Sequence, residues 1–194
     1  MVDGVAERAW ESIEELFETA SALGRNEYPD GTVEMGHAPQ RGPKAFLHTS
    51  FPGLSEVAVA EVRELCPVPL PQPYARFLRR SNGLFLYHGS IGMYGFNESR
   101  LLDRSGLQPR PWDVVNANRF RNVQAPLDGF AIGASELDGS KFFMFDNGSV
   151  TRFDVERWTP KSESPDLDVF LIDAIDRVSA LFDTSGKQVG PDIW

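Results

Sequence analysis

With 194 residues, 41% of them hydrophobic and 14 of them Phe, the chain has the apolar content of a globular protein and the length for a substantial core. A net charge of −9 argues against a duplex-reading or membrane-surface role, because both need surplus Lys and Arg to meet phosphates. The lone Cys66 excludes an intrachain disulfide, and the lack of a secretory leader pattern or of a long apolar run leads to the expectation of a cytoplasmic protein.

Charge is unevenly spread along the chain. Residues 1–30 carry eight acids and two bases, residues 31–153 eleven and thirteen, and residues 154–183 eight and three. Acidic ends therefore enclose a slightly basic middle.

Residues 5–23 predict an amphipathic helix, with Asp3 as cap and Gly24 as stop. Ala9, Ile13, Leu16, Phe17 and Ala20 share one face, flanked by Trp10. Glu7, Glu11, Glu14 and Glu18 recur at spacings of 4, 3 and 4 on the opposite face. Residues 24–53 are rich in Gly, Pro and His and read as a long loop with a short strand at 45–48. A second helix follows at 55–65, where the Ser55 hydroxyl can accept from the first free backbone N–H groups; Pro67, Pro69 and Pro71 end it.

The stretch LPQPYARFLRRSNG at 70–83 predicts a third helix. Tyr74, Phe77, Leu78 and Ser81 line its buried side, and Gly83 supplies a left-handed stop. Its Arg76, Arg79 and Arg80 read as solvated charges or as partners for the acidic terminal helices. Stacking aromatics do not interleave with them, so a nucleic-acid contact is not expected. LFLYH and IGMYGF predict a hairpin with a glycine-first turn at Gly89-Ser90. Residues 97–110 read as a polar loop with Arg100, Arg104 and Arg110. Residues 111–123 read as a helix with Pro111 in its first turn.

Asp138-Gly139 and Asn147-Gly148 are tight-turn dipeptides between strand-like runs, so 129–153 predicts a three-stranded antiparallel meander. Its middle strand, Phe142 to Phe145, is apolar on both sides and should be covered on both faces. A closing helix spans 164–183, with Ser164 as cap and Pro165 at its first position. Leu167, Leu171, Ala174, Val178 and Leu181 form its buried stripe, and Asp166, Asp173, Asp176 and Asp183 share another face. The tail TSGKQVGPDIW reads as loose, with Trp194 available to dock.

Catalytic, cofactor and metal sites are not expected. His37, His48 and His88 lack metal-ligand spacing. Cys66 has no nucleophile context and reads as a small buried hydrophobe. The Asp166–Asp168 triplet lies in a first helical turn, where the helix dipole alone favours acids. Gly89, Gly92 and Gly95 are not followed by the helix that a phosphate loop needs. A hydrolase whose carboxylates are assembled only by the fold remains an alternative. The two acidic stripes (Glu7, Glu11, Glu14 and Glu18; Asp166, Asp173 and Asp176) are the candidate partner-binding residues, suited to a basic protein.

The order of a helix, an LPxxYxxFLxxxNG helix, a hairpin ending in YGF, a meander with FAIG, DG and FFMFDNG, and a closing helix resembles the SUKH superfamily. The similarity is to its branch related to the fungal cell-wall-assembly regulators. Leu70, Pro71, Tyr74, Phe77, Leu78, Asn82 and Gly83 carry the resemblance, with Phe130, Ala131, Ile132, Gly133, Asp138, Gly139, Phe145, Asp146 and Gly148. The chain departs from the family at ELDGSK, where a more glycine-rich turn is usual. The resemblance implies an α+β domain over 53–183, a mostly antiparallel sheet flanked by helices. Residues 1–52 would be an extension and 184–194 a tail. It also implies function by binding, without shared catalytic residues. Bacterial members resemble immunity proteins that neutralise polymorphic or contact-dependent toxins, here a basic toxin domain; fungal members resemble regulatory scaffolds.

Overall fold

In a computed structural model of the chain, which describes residues 7–97 and 108–190, nine antiparallel strands hydrogen-bond in the order in which they occur along the sequence. They are β1 (Arg25–Glu27), β2 (Val33–His37), β3 (Phe46–Pro52), β4 (Ser81–Leu86), β5 (Ile91–Met93), β6 (Phe130–Ala134), β7 (Lys141–Met144), β8 (Val150–Asp154) and β9 (Thr159–Ser164). Among the described residues five helices complete the α+β fold. Helix α1 (Glu7–Ser21) precedes the sheet and α5 (Leu167–Ser179) follows it. Helices α2 (Glu56–Leu65) and α3 (Gln72–Arg80) link β3 to β4, and α4 (Val114–Arg119) lies between β5 and β6.

Directly paired residues of an antiparallel sheet point to the same face. One transverse row runs Leu84, Met93, Gly133, Phe142, Arg152 and Ser162; the next runs Phe85, Gly92, Ala134, Lys141 and Phe153. The first face is roofed by helices. Phe170 of α5 meets Phe142 with ring centroids 4.9 Å apart, Phe17 of α1 lies 6.0 Å from His48, and Trp10 stacks on Phe77 of α3 at 5.6 Å. Tyr74 of α3 is fully buried, and its hydroxyl lies 2.5 Å from the Tyr94 carbonyl and 2.8 Å from that of Ile132. Helix α3 is thereby bolted across β5 and β6.

The expected hairpin and meander are present, and Phe142 and Phe143 of the middle strand are both buried. Ser55 caps α2, accepting from the Ala58 N–H at 3.2 Å.

Several details differ from the sequence reading. Residues 24–53 are not a loop; they hold β1, β2 and β3. Their Gly and Pro residues sit mainly at the turns, and the short runs between them pair with one another in sequence, β3 joining them to β4. The division expected at 52/53 falls inside this continuous sheet, and one buried cluster joins Ala9, Trp10 and Ile13 to the rest of the core. Helix α3 ends at Arg80, because Ser81 is already extended and opens β4. Gly83 is therefore not a helix stop. It lies inside β4 at φ 84°, where a Cβ would come within 2.7 Å of the Met93 carbonyl oxygen.

The hairpin turn begins earlier than expected, with Tyr87 at φ 50°, His88 at φ 58° and Gly89 at φ 84°. Asp113, not Pro111, starts α4, accepting from the Asn116 N–H at 2.7 Å. Ser164 belongs to β9, a fourth meander strand, and Asp166 caps α5 by accepting from the Val169 N–H at 2.9 Å. Leu181 and Asp183 lie past the end of α5. The tail is pinned as far as residue 190. Phe182 bridges to Gln188, Arg41 donates to Gln188 at 2.5 Å, and Gln40 donates to the Gly186 carbonyl at 3.2 Å. The expected roles of Asp3, Arg100, Arg104 and Trp194 lie outside the described residues.

Candidate binding site

The sheet face opposite α1 and α5 is only partly covered. Gly92 and Ala134 leave a gap in the row from Phe85 to Phe153, and the Trp112 ring fills it. A Cβ on Gly92 would stand 2.2 Å from that ring. Trp112 packs 4.7 Å from Phe85 and 6.2 Å from Tyr94, centroid to centroid. The next residue of the row, Lys141, is half-buried, and its Nζ donates to the Tyr94 hydroxyl oxygen at 3.3 Å.

Two adjoining hollows share Tyr94, Ala117 and Lys141. One, of about 530 Å³, is bounded by Trp112, Asp113, Ser135 and Glu136. The other, of about 430 Å³, is bounded by Phe120, Arg121, Phe143 and Trp158. Such volumes suit a small molecule or a few side chains of a protein segment.

The wall formed by α4 is held by Asn118, which is 1% exposed. Its amide nitrogen donates to the carbonyls of Ala131 and Val114, each at 2.9 Å, and its oxygen accepts from the Ala131 N–H at 2.8 Å. The side chain thus replaces a strand partner where the β6–β7 register shifts between Ala131 and Gly133. Arg121 donates to the carbonyls of Pro126 at 2.9 Å and Gly129 at 2.5 Å, which ties the loop after α4 into a fixed shape. That loop exposes Phe120, which lines the hollow, together with Val123 and Leu127, at 76%, 94% and 83% exposure.

Burial acts on the two titratable groups that meet in the hollow. Burial raises the pKa of the Tyr94 hydroxyl and lowers that of Lys141. Tyr94 therefore keeps its proton at neutral pH and serves as a hydrogen-bonding group. The Asp113 carboxylate accepts from the Asn116 and Asn97 N–H groups as a helix cap. Among the described residues no carboxylate lies within 4.0 Å of the Lys141 ammonium.

Nearby, Asp138 accepts from Arg152, from Lys161 at 3.0 Å and from the Ser140 hydroxyl at 2.6 Å. Burial pushes this carboxyl upward. The Ser140 and Lys161 hydrogen bonds and the Arg152 charge outweigh that and hold it well below the usual carboxylate range. Asp138 of the ELDGSK turn therefore rivets the meander together.

The acidic candidates lie on the helical layer across the sheet. Helices α1 and α5 contact each other, so both stripes belong to one helical layer. Glu11, Glu18, Asp173 and Asp176 are exposed there. Glu14 is engaged by Arg80 at 2.6 Å, and the Arg80 guanidinium also sits 4.8 Å above the Trp10 ring. Asp166 is the α5 cap. The Glu7 side chain lies outside the described residues. Arg79 pairs with Glu56 at 2.7 Å, so two of the three α3 arginines meet acids of neighbouring helices.

Asp168 is 3% exposed and turns towards the start of α1. Burial and the Asp166 charge raise its pKa, while the Arg8 charge and the Ala9 backbone N–H pull it down. It behaves as a cap supplied by one helix to another. Burial depresses His48 to about 3 and His88 to about 4, and lifts the Cys66 thiol to about 11. Among the described residues no group of three His, Cys, Asp or Glu is placed to hold a metal ion, and no helix is long and apolar enough to cross a membrane.

Sequence reasoning missed Tyr94, Trp112, Lys141 and Trp158 because they come from separate elements. The small residues Gly92 and Ala134, inside otherwise bulky strands, were the available signal. No protein-family model and no curated protein matches the chain.

Proposed function

We propose that the chain is a non-catalytic protein-binding module, acting in the cytoplasm as an immunity protein that neutralises a polymorphic or contact-dependent toxin by direct contact. The observation that carries the binding reading is the aromatic hollow edged by the exposed Phe120, on a loop that also exposes Val123 and Leu127. Aromatic anchors in a recess, edged by apolar side chains, are what a protein interface offers its partner. The assignment to immunity rests on the SUKH resemblance of LPQPYARFLRRSNG and the meander motifs.

Glu11, Glu18, Asp173 and Asp176 lie across the sheet from the hollow and would act on a basic toxin through their field. Neutralising them should slow association and flatten its salt dependence, while leaving the dissociation rate largely unchanged. Co-expression with toxin genes neighbouring this one tests the reading. Growth rescue and a co-purifying complex are expected, both lost in a Phe120→Ser/Leu127→Ser double variant. Failure of every neighbouring toxin to be rescued or bound refutes it.

A further inference from the structure

We infer that the Lys141–Tyr94 recess is a receptor for a carboxylate presented beside an apolar group on the bound protein segment, an inference that rests on the protein-binding reading. Lys141 donates to the Tyr94 hydroxyl oxygen, so the phenolic proton remains available to a second acceptor. An ammonium and a phenol O–H, about 3.3 Å apart at their heavy atoms, offer two donors to the two oxygens of one carboxylate.

The rest of the recess fits the same guest. The Lys141 ammonium is half-buried with no carboxylate within 4.0 Å among the described residues, so part of its hydration is lost without an ionic partner. Trp112, Phe143 and Trp158 line the hollows on either side and would cover the apolar part of the segment. Two acids also line the first hollow, Asp113, engaged as the α4 cap, and the exposed Glu136, and their charge disfavours a guest of higher negative charge. One ammonium and one neutral hydroxyl suit a monoanion, whereas a phosphate dianion is better held by several cations or by an arginine fork. Arg121, whose guanidinium lines the recess, is already donating to backbone carbonyls.

The recess can be probed without knowing the partner. The indole N–H signals of Trp112 and Trp158 are followed in the full chain during titration with N-acetylphenylalanine, with its uncharged amide, and with inorganic phosphate. The acid should give saturable shifts, with the amide binding on the order of 10-fold more weakly, as expected for losing a hydrogen bond to a charged group. Lys141→Met should abolish that preference, and Tyr94→Phe should reduce it while keeping the ring in place. Equal binding of acid and amide, an undiminished preference in both variants, or phosphate binding as well as the acid overturns the inference.

A toxin complex separates this inference from the reading beneath it. A complex broken by Phe120→Ser/Leu127→Ser but indifferent to Lys141→Met refutes the carboxylate receptor and leaves the binding module standing. A complex indifferent to both sets of changes refutes the hollow as the interface altogether.

Discussion

Asn118→Asp should destabilise the protein at neutral pH and recover in acid. The wild-type amide nitrogen faces two carbonyl oxygens at 2.9 Å, while the amide oxygen accepts from the Ala131 N–H at 2.8 Å. An ionised aspartate keeps the second interaction but sets a bare oxygen against both carbonyls. Leaving the buried Ala131 carbonyl without its donor costs about 1–3 kcal/mol, and burying the charge adds to this. A loss of about 3 kcal/mol at pH 7.5 follows, or roughly 6–12 °C in Tm for a chain of this size.

The new carboxyl would have a raised pKa, because only its protonated form restores a donor. The folded variant then binds more protons than its unfolded chain, whose aspartate titrates near about 3.9, so its deficit shrinks as pH falls below neutrality. Urea unfolding of wild type, Asn118→Asp and Asn118→Leu at pH 7.5 and 5 measures this. Asn118→Leu should lose a similar amount at both pH values. A deficit for Asn118→Asp below about 1 kcal/mol, or one equal at the two pH values, refutes the account of Asn118 as a stand-in strand partner.

Gly92→Ala should displace Trp112, since the new methyl would stand 2.2 Å from the indole; a cost of about 1–3 kcal/mol and a red-shifted tryptophan emission are expected, and an unchanged spectrum would contradict the packing. His48 and His88 titrate at about 3 and about 4 when folded, below the ordinary value of 6.5. Their neutral forms therefore contribute stability that is complete above about pH 6.5 and lost as pH falls through 4 towards 3. A pH series of urea melts should show this decline, and replacing His48 by Gln should flatten it. Asp168→Asn keeps an acceptor for the Ala9 N–H while removing a buried charge whose Oδ2 has no hydrogen-bond partner among the described residues. It should stabilise the protein by about 1 kcal/mol at pH 7.5, with the gain fading in acid as the wild-type carboxyl protonates; destabilisation at pH 7.5 would show that the charge is needed to cap α1.

Local codes carried much of the architecture. Ser55 announced α2, the Asp138-Gly139 and Asn147-Gly148 dipeptides placed β6, β7 and β8, and Leu167, Leu171, Ala174 and Val178 oriented α5. Each is a signal within a few residues, where caps, turn dipeptides and side-chain period act directly on the backbone. The same local view failed at Val33–His37 and Phe46–Pro52, whose Gly, Pro and His content hid strands that are held only by pairing with each other and, through Phe46–Pro52, with β4. It failed again at Gly83, where the need for glycine comes from the Met93 carbonyl of the next strand rather than from the helix before it. Composition and period thus determined an acidic α+β chain with two amphipathic terminal helices. Only the tertiary structure decided that these helices share one face, and that Tyr94, Trp112, Lys141 and Trp158 meet on the other. The reason is that strand register sets which distant side chains point the same way, and register is a property of the whole sheet.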